Sequence, residues 1–317
     1  MAASSQRDPR QRDLSQRDQS TNAFSCGYVA IVGRPNVGKS TLLNRLLGQK
    51  ISITAQKPQT TRHRILGINN TKQAQIIYVD TPGIHDHAKE ALNRYMNRAA
   101  ITSLNDVDVI ILVVDAMAWT DQDEFVLRKL DNSDAPVILA VNKVDKIKQK
   151  DELLPYLEQV AGKMSFAAIV PVSARTGDSV DTLETEVVHL LPESVAFFPE
   201  DQITDRSERF LAAEFVREKL MRSLGQEVPY ATTVEIEKFE DQQNLKRINA
   251  VIWVSRPGQK AIIIGKQGSR LKSIGEQARK DMERAFDCKV FLQLWVKVKQ
   301  GWSDDERALR SLGYTDE

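Results

Sequence analysis

Gly33-Arg34-Pro35-Asn36-Val37-Gly38-Lys39-Ser40 is the stretch whose reading decides the fold. It spells G-x-x-x-x-G-K-S between the apolar run Tyr28-Val29-Ala30-Ile31-Val32 and a helix-forming segment that opens Thr41-Leu42-Leu43-Asn44. A buried strand, a glycine-bounded loop and a helix in that order are the context of a phosphate-binding loop. Glycine lets the backbone curl until its N–H groups converge on phosphate oxygens, and the following helix N-terminus adds positive dipole character. Gly33, Asn36, Val37, Gly38, Lys39, Ser40 and Thr41 are therefore nucleotide-binding candidates. Lys39 supplies a cation for the β- and γ-phosphates, and Ser40 a hydroxyl for Mg²⁺.

The loop specifies a nucleoside triphosphate without specifying its base. Asn142-Lys143-Val144-Asp145, closing the apolar run Val137-Ile138-Leu139-Ala140-Val141, settles that. The Asp145 carboxylate can accept from guanine N1–H and from the 2-amino group. Adenine offers neither donor, and a site built for such bonds rejects the analogue lacking them by up to ~10⁴–10⁵. Asn142 is expected to tie this loop to its neighbours, and the Lys143 stem to cover the base face. Ser173-Ala174-Arg175 follows Ala167–Val172 and is expected to offer a backbone N–H to guanine O6.

Asp80-Thr81-Pro82-Gly83 ends another strand-like run, Ala74–Val79. An Asp at a strand C-terminus can hold Mg²⁺, usually through water, and the Gly83 N–H can meet the γ-phosphate. Between the two lies the polar, basic loop Pro58-Gln59-Thr60-Thr61-Arg62-His63-Arg64. One of its threonines, with Thr61 preferred, is expected to sense the γ-phosphate through Mg²⁺. Lys39, Thr61 and Gly83 are the catalytic candidates, and Ser40, Thr61 and Asp80 the metal ligands. The position after Gly83, where many GTPases carry a water-orienting Gln, holds Ile84, so slow intrinsic turnover is expected.

Strands alternate with helical patterns from Tyr28 to about Leu191, which predicts an α/β domain with a doubly wound, mostly parallel sheet. In such sheets ligands sit at the strand C-termini, where all these loops fall. The Pro-marked stretch 192–201 ends that domain. Beyond it, Ser207–Leu224 reads as a helix with Gly225 as its C-cap, followed by strands over Thr232–Phe239 and Asn249–Val254. The expected division is a tail over 1–25, a nucleotide domain over 26–192, a linker over 193–206 and a smaller α+β domain over 207–317.

Gly265-Lys266-Gln267-Gly268 follows an Ile triplet and precedes Leu271, Ile274, Ala278, Met282 and Phe286 at helical spacing. This resembles a KH domain, whose G-x-x-G loop clamps the backbone of about four single-stranded nucleotides. Residues 256–299 carry eleven Lys/Arg against four Asp/Glu. In the last strand Leu292, Leu294, Val296 and Val298 alternate with Gln293, Trp295, Lys297 and Lys299. The RNA-binding candidates are Gly265, Lys266, Gln267, Gly268, Arg270, Lys272, Trp295 and Lys297, with Trp295 either stacking on a base or packing under the loops.

The 317-residue length is that of about two domains, each able to bury a core. The net charge of +1 excludes a global basic field, so any nucleic-acid surface is local. Two cysteines far apart, Cys26 and Cys288, read as reduced thiols of a cytoplasmic protein. No apolar run reaches the ~18 residues of a membrane span, and the N-terminus lacks an apolar leader core. Gln-Arg-Asp repeats at 6–8, 11–13 and 16–18 in a polar setting, so the tail is expected to be disordered. His85-Asp86-His87 offers only two imidazoles and reads as a solvated loop. Trp302 reads as an anchor, and Asp304-Asp305-Glu306 as a solvent face.

GRPNVGKSTLLNRLLGQKISI, QTTRHRI, YVDTPG, NKVD and SARTG, together with the C-terminal segment, resemble the Era family of GTPases from about Tyr28 onward. The resemblance implies a GTPase domain joined to a type II KH domain. It implies a GTP-gated switch that binds small-subunit (16S) ribosomal RNA near its 3′ end and acts in 30S subunit assembly. It further implies Mg²⁺, a monomer in the cytoplasm, and peripheral contact with the inner membrane. Related GTPases with G-x-P-N-x-G-K-S loops use the Asn, here Asn36, to ligate K⁺ beside the phosphates; the alternative is that Asn36 only shapes the turn. Two other functions stay open at this point: an RNA-binding protein with GTP as allosteric ligand alone, and a GTPase of tRNA modification or translation.

Overall fold

The computed structural model describes residues 24–84, 91–104, 106–131, 133–225, 228–312 and 314. Most of the N-terminal tail and all of His85-Asp86-His87 lie outside them. The first domain runs β1 (Ser25–Val32), α1 (Lys39–Leu46), β2 (Ile65–Asn70), β3 (Ala74–Asp80), α2 (Ala91–Thr102), β4 (Val109–Asp115), α3 (Asp121–Leu130), β5 (Val137–Asn142), α4 (Leu153–Ala161), β6 (Ala168–Val172) and α5 (Val180–Leu190). Among the described residues the strands form a six-stranded sheet of order β2-β3-β1-β4-β5-β6. All pairings are parallel except β2 against β3.

Strands buried on both faces need continuous apolar runs. Val29 and Ile31 of β1 point into a core shared with Leu42, Leu43, Leu183 and Val187 of α1 and α5. Ala30 and Val32 point into the opposite core, with Ala100, Val126, Leu127 and Val160 of α2, α3 and α4. Two helical layers thus sandwich the sheet, and the loops after β1, β3, β5 and β6 open along one edge.

Residues 193–206 run along the antiparallel β2 edge. The Ile68 amide donates to Ile203 O at 2.9 Å and the Leu66 amide to Asp205 Oδ1 at 3.0 Å. Asn70 Nδ2 donates to Glu200 O at 2.8 Å, and Gln75 bonds the backbone of Phe197 and Phe198.

The second domain is α6 (Glu208–Ser223), β7 (Thr232–Gln242), β8 (Leu245–Val254), α7 (Pro257–Ile264), α8 (Ser269–Phe286), β9 (Lys289–Val298) and α9 (Glu306–Ser311). Its sheet has the order β7-β8-β9, antiparallel between β7 and β8 and parallel between β8 and β9. The helices α6, α7 and α8 cover one face through Phe215, Leu220, Ile263, Ile274 and Met282. The strands β7 and β8 are longer than the apolar pattern predicts because the hairpin tip is charged and carries no alternation to read. Gly225 is not the cap of α6: Leu224 is, in an extended conformation, and its N–H bonds Leu220 O.

The charged residues Glu214, Arg217, Glu218 and Lys219 of α6 are buried although they face away from its apolar stripe. They lie against the first domain. Arg217 donates to Glu214 and to Thr60 O, while Lys50 bonds Glu218 and Asp281 at 2.6 and 2.8 Å. The C-terminal segment folds back as well. Trp302 is fully buried and donates to Ala231 O, and α9 packs on α2. Of the acidic run, Asp305 caps α9 and Asp304 accepts from the Ala91 amide.

Candidate functional site

The phosphate loop leaves β1 and enters α1 at Lys39. Gly38 sits at φ 108°, and a Cβ there would lie 2.3 Å from Asn142 Nδ2, so glycine is required twice over. Lys39 Nζ donates to Gly33 O and Arg34 O at 2.9 and 3.0 Å. Burial pushes the Lys39 ammonium down to about 8, partly opposed by Asp80. A polyphosphate placed in the loop would restore the charged form.

Ser40, Thr61 and Asp80 come together. Ser40 Oγ lies 2.7 Å from Thr61 Oγ1 and donates to Asp80 Oδ2 at 2.8 Å. Thr60 instead turns its hydroxyl to Lys57 O, which distinguishes the two threonines. Ser52, which sequence reasoning missed, donates to Asp80 Oδ2 at 2.7 Å. Asp80 Oδ1 is buried with no hydrogen-bond partner among the described residues, and burial raises the carboxyl above its usual range. One orphaned carboxylate oxygen beside two hydroxyls fits an oxygen-ligated Mg²⁺. Gly83 approaches so closely that a Cβ would meet the Pro35 nitrogen at 2.9 Å. Ile84 is buried and apolar, so it cannot orient a water molecule.

The base end is similarly assembled. Asn142 Nδ2 donates to Val37 O at 2.7 Å and its Oδ1 accepts from the Ala174 amide at 3.0 Å, joining three loops. The Ala174 N–H, expected to meet guanine O6, thus already donates to Asn142 Oδ1 here. Asp145 is 8% exposed; its Oδ1 accepts from Ser173 Oγ at 2.7 Å and its Oδ2 pairs with Arg175 at 2.6 Å. Lys143 reaches Asn36 O and Asp115 at 2.7 and 2.5 Å, which lays its stem across this end of the cleft. A cavity of about 930 Å³ runs between Gly38 and Thr41 on one side and Asn142, Asp145 and Ala174 on the other.

The loop carrying Thr61 is gripped by the second domain. Arg62 is fully buried and donates to Thr232 O, Tyr230 O, Pro229 O and Tyr314 Oη at 2.8 to 3.3 Å. His63 stacks on Tyr314 at 4.6 Å and meets Phe210 edge-on at 5.2 Å. Burial among these groups pushes the imidazole down to about 4. Sequence gave no signal for this contact beyond the basic character of the loop.

In the second domain Gly265 (φ 71°), Gln267 (φ 52°) and Gly268 (φ 77°) make the left-handed turn that launches α8. A Cβ on Gly265 would lie 2.8 Å from that of Arg270. Lys266, Gln267 and Lys272 are exposed, while Arg270 Nη1 is bonded to Ile262 O at 2.5 Å. Trp295 and Lys297 do not join this loop. The period-2 alternation of β9 sends Leu294 and Val296 toward α8 and turns Trp295, 41% exposed, to the other face of the sheet. Lys297 there pairs with Glu237 at 2.6 Å. Ile262, exposed beside the loop, is a nearer apolar surface for a base.

Comparison with known proteins agrees with this geometry. Residues 28–143 match a family described as a 50S ribosome-binding GTPase, and residues 227–303 match the KH domain. The chain is 61% identical over 291 residues to the GTPase Era of Ectopseudomonas mendocina, covering 92% of this chain and 97% of that protein. The GTPase Era of Pseudomonas aeruginosa is equally similar, with 95% of it covered. Among solved structures, Era in complex with MgGDPNP and nucleotides 1506–1542 of 16S ribosomal RNA superposes with a TM-score of 0.87 at 43% identity, covering 92% of this chain and 99% of that one. An Aquifex aeolicus Era variant bound to GDP·AlF4⁻ gives 0.88 at 43% identity, covering 92% and 100%. With a nucleotide cleft and a KH loop both built, and relatives of this similarity along nearly its whole length, the chain belongs to the Era family of GTPases.

Proposed function

We infer that this protein is a GTP-hydrolysing switch that binds 16S ribosomal RNA near its 3′ end through its KH domain and acts in assembly of the 30S subunit. The observation that carries the reading is the loop 58–64. Thr61 faces Ser40 and Asp80 at the nucleotide, while its neighbour Arg62 is buried against the KH domain. A change of the bound phosphate therefore pulls on a residue whose neighbour is fixed in the RNA-binding half. The Era relative solved with a GTP analogue and a 16S fragment supports the choice of RNA.

In the cleft Lys39 and the amides from Asn36 to Thr41 hold the phosphates, the Gly83 N–H meets the γ-phosphate, and Asp145 accepts from guanine. Ser40, Thr61 and Asp80 would hold a magnesium ion, which would supply neutralisation of phosphate charge. Asn36, at φ 65° and lining both ends of the cleft, would ligate K⁺ where an arginine would otherwise neutralise charge. Gly265–Gly268 clamps the RNA backbone with Lys266, Gln267 and Lys272, while Trp295 and Lys297 on the far face form a separate basic surface. The protein acts as a cytoplasmic monomer with peripheral contact to the inner membrane, as its family resemblance implies. Measuring affinity for a 16S 3′-end fragment with GTP, a non-hydrolysable analogue and GDP tests the reading. It requires both turnover and an affinity that differs between nucleotides; equal affinity in all three would reject it.

A further inference from the structure

The nucleotide cleft has two lined regions of different composition. The end around Lys39, Ser40, Thr61 and Gly83 is lined among the described residues by the first domain alone. The larger region, from Gly38 and Thr41 to Asn142, Asp145 and Ala174, is closed on one side by Thr54, Ala55, Gln56 and Lys57 and by Met221 and Arg222. The last two belong to the C-terminal turn of α6, which packs on the KH domain from just ahead of its matched residues 227–303 and is counted with it here. Lys57 ties this wall together by donating to Leu224 O and Gly225 O.

Arg222 is held as a preorganised donor. Its Nε donates to Thr54 O at 2.9 Å and its Nη2 to Thr54 Oγ1 at 2.8 Å, with Glu218 Oε1 3.0 Å from Nη2. Glu218 is itself fixed, since its Oε1 accepts from the Thr54 amide at 3.0 Å. The side chain is nevertheless 49% exposed, and the residue lines the cavity. A planar donor pinned along one edge and open along the other suits a phosphate oxygen. Its position matters: it borders the region between the base and the start of the phosphates, and not the end where Thr61 and Gly83 await the γ-phosphate.

We propose that Arg222 of the KH domain completes the nucleotide site in cis by binding the α-phosphate, so that retention of GTP and GDP alike depends on the KH domain being docked. This rests on reading the cleft as the guanine-nucleotide site. Arg222 is then no arginine finger, because the group it touches is common to substrate and product.

The test is calorimetry on the full-length chain and its Arg222→Ala and Arg222→Lys variants with GTP, GDP and GMP, and with guanosine by competition. Loss of one charge-assisted contact predicts about tenfold weaker binding of all three phosphates in Arg222→Ala. Guanosine, which has no phosphate, keeps its affinity, and Arg222→Lys recovers part of the loss. Unchanged GDP affinity overturns the proposal. So does a loss confined to GTP, which would put the contact at the γ-phosphate. An equal loss for guanosine overturns it too, by showing that Arg222 only holds the two domains together. Failure of the parent chain to bind any guanine nucleotide would reject the cleft assignment itself.

Discussion

Replacing Arg62 by Met tests whether the two domains are joined through the loop 58–64. Arg62 is fully buried and its guanidinium serves three backbone carbonyls and one hydroxyl of the second domain. Met keeps most of the volume and removes every donor. Two acceptors keep a partner: Pro229 O retains the Thr232 hydroxyl and Tyr314 Oη retains Thr233 Oγ1. The loss falls on the carbonyls of Tyr230 and Thr232, at about 1–3 kcal/mol each. Against it stands relief from burying a cation whose Nε has no hydrogen-bond partner among the described residues and whose guanidinium burial pulls below its usual range. The net cost is about 2–4 kcal/mol, which corresponds to a fall in melting temperature of about 5–15 °C. Because the damage is at the interface, the two domains should also melt in separate steps. Differential scanning calorimetry of the full chain reads both effects. A variant melting within about 1 °C of the parent, in the same single step, would refute the reasoning that this bond set joins the domains.

Asp145→Asn should weaken GTP binding and favour xanthosine triphosphate, whose C2 carbonyl accepts from the new amide; unchanged GTP affinity in a filter-binding assay would reject the base assignment. Replacing Lys266 and Gln267 with Asp should collapse RNA affinity and flatten its salt dependence while RNA-free GTP hydrolysis continues; normal electrophoretic shifts would place the RNA contacts elsewhere. Hydrolysis should be faster in K⁺ than in Na⁺ at equal ionic strength, with Asn36→Ala erasing the difference but still binding GTP; equal rates in the two salts would remove the potassium role. Burial pushes His63 from its ordinary 6.5 down to about 4, so between these values the unfolded chain binds the extra proton and stability rises with pH. Acidification from pH 7 to 4 should then cost about 3 kcal/mol through this one residue, and His63→Phe should remove that share of the urea-denaturation pH profile.

The nucleotide half was legible because its chemistry is local. The phosphate loop, Asp80–Gly83, Asn142–Asp145 and Ser173–Ala174 each sit at the end of an apolar strand, and strand order follows from the alternation with helices. Thr61 could be preferred by type and position, and the structure adds the reason, since Thr60 is spent on Lys57 O. What stayed hidden was long-range. The charges of α6 are buried, and nothing in the sequence at Glu214, Arg217 or Glu218 says that another domain will cover them. Ser52 on Asp80 and Tyr314 on His63 bridge 28 and 251 positions and have no spacing signature. The alternation of β9 sets Trp295 beside lysines, which makes it an RNA candidate in the sequence, but only the fold shows that this face of the sheet lies away from the loop.

The strap of residues 193–206 along β2 leaves almost no free tether between the two halves. With Asp205 bonded to Leu66 and Ser207 already capping α6, any relative rotation has its pivot at the beginning of that helix. The helix has 16 residues and so is about 24 Å long, which makes it a lever: a swing of about 10° at its base displaces the far tip by about 4 Å. That tip carries Met221 and Arg222. A modest turn of the RNA-binding half would thus open or shut the side wall of the nucleotide cleft, and the mechanical advantage comes from how tightly the intervening chain is fastened to the sheet edge.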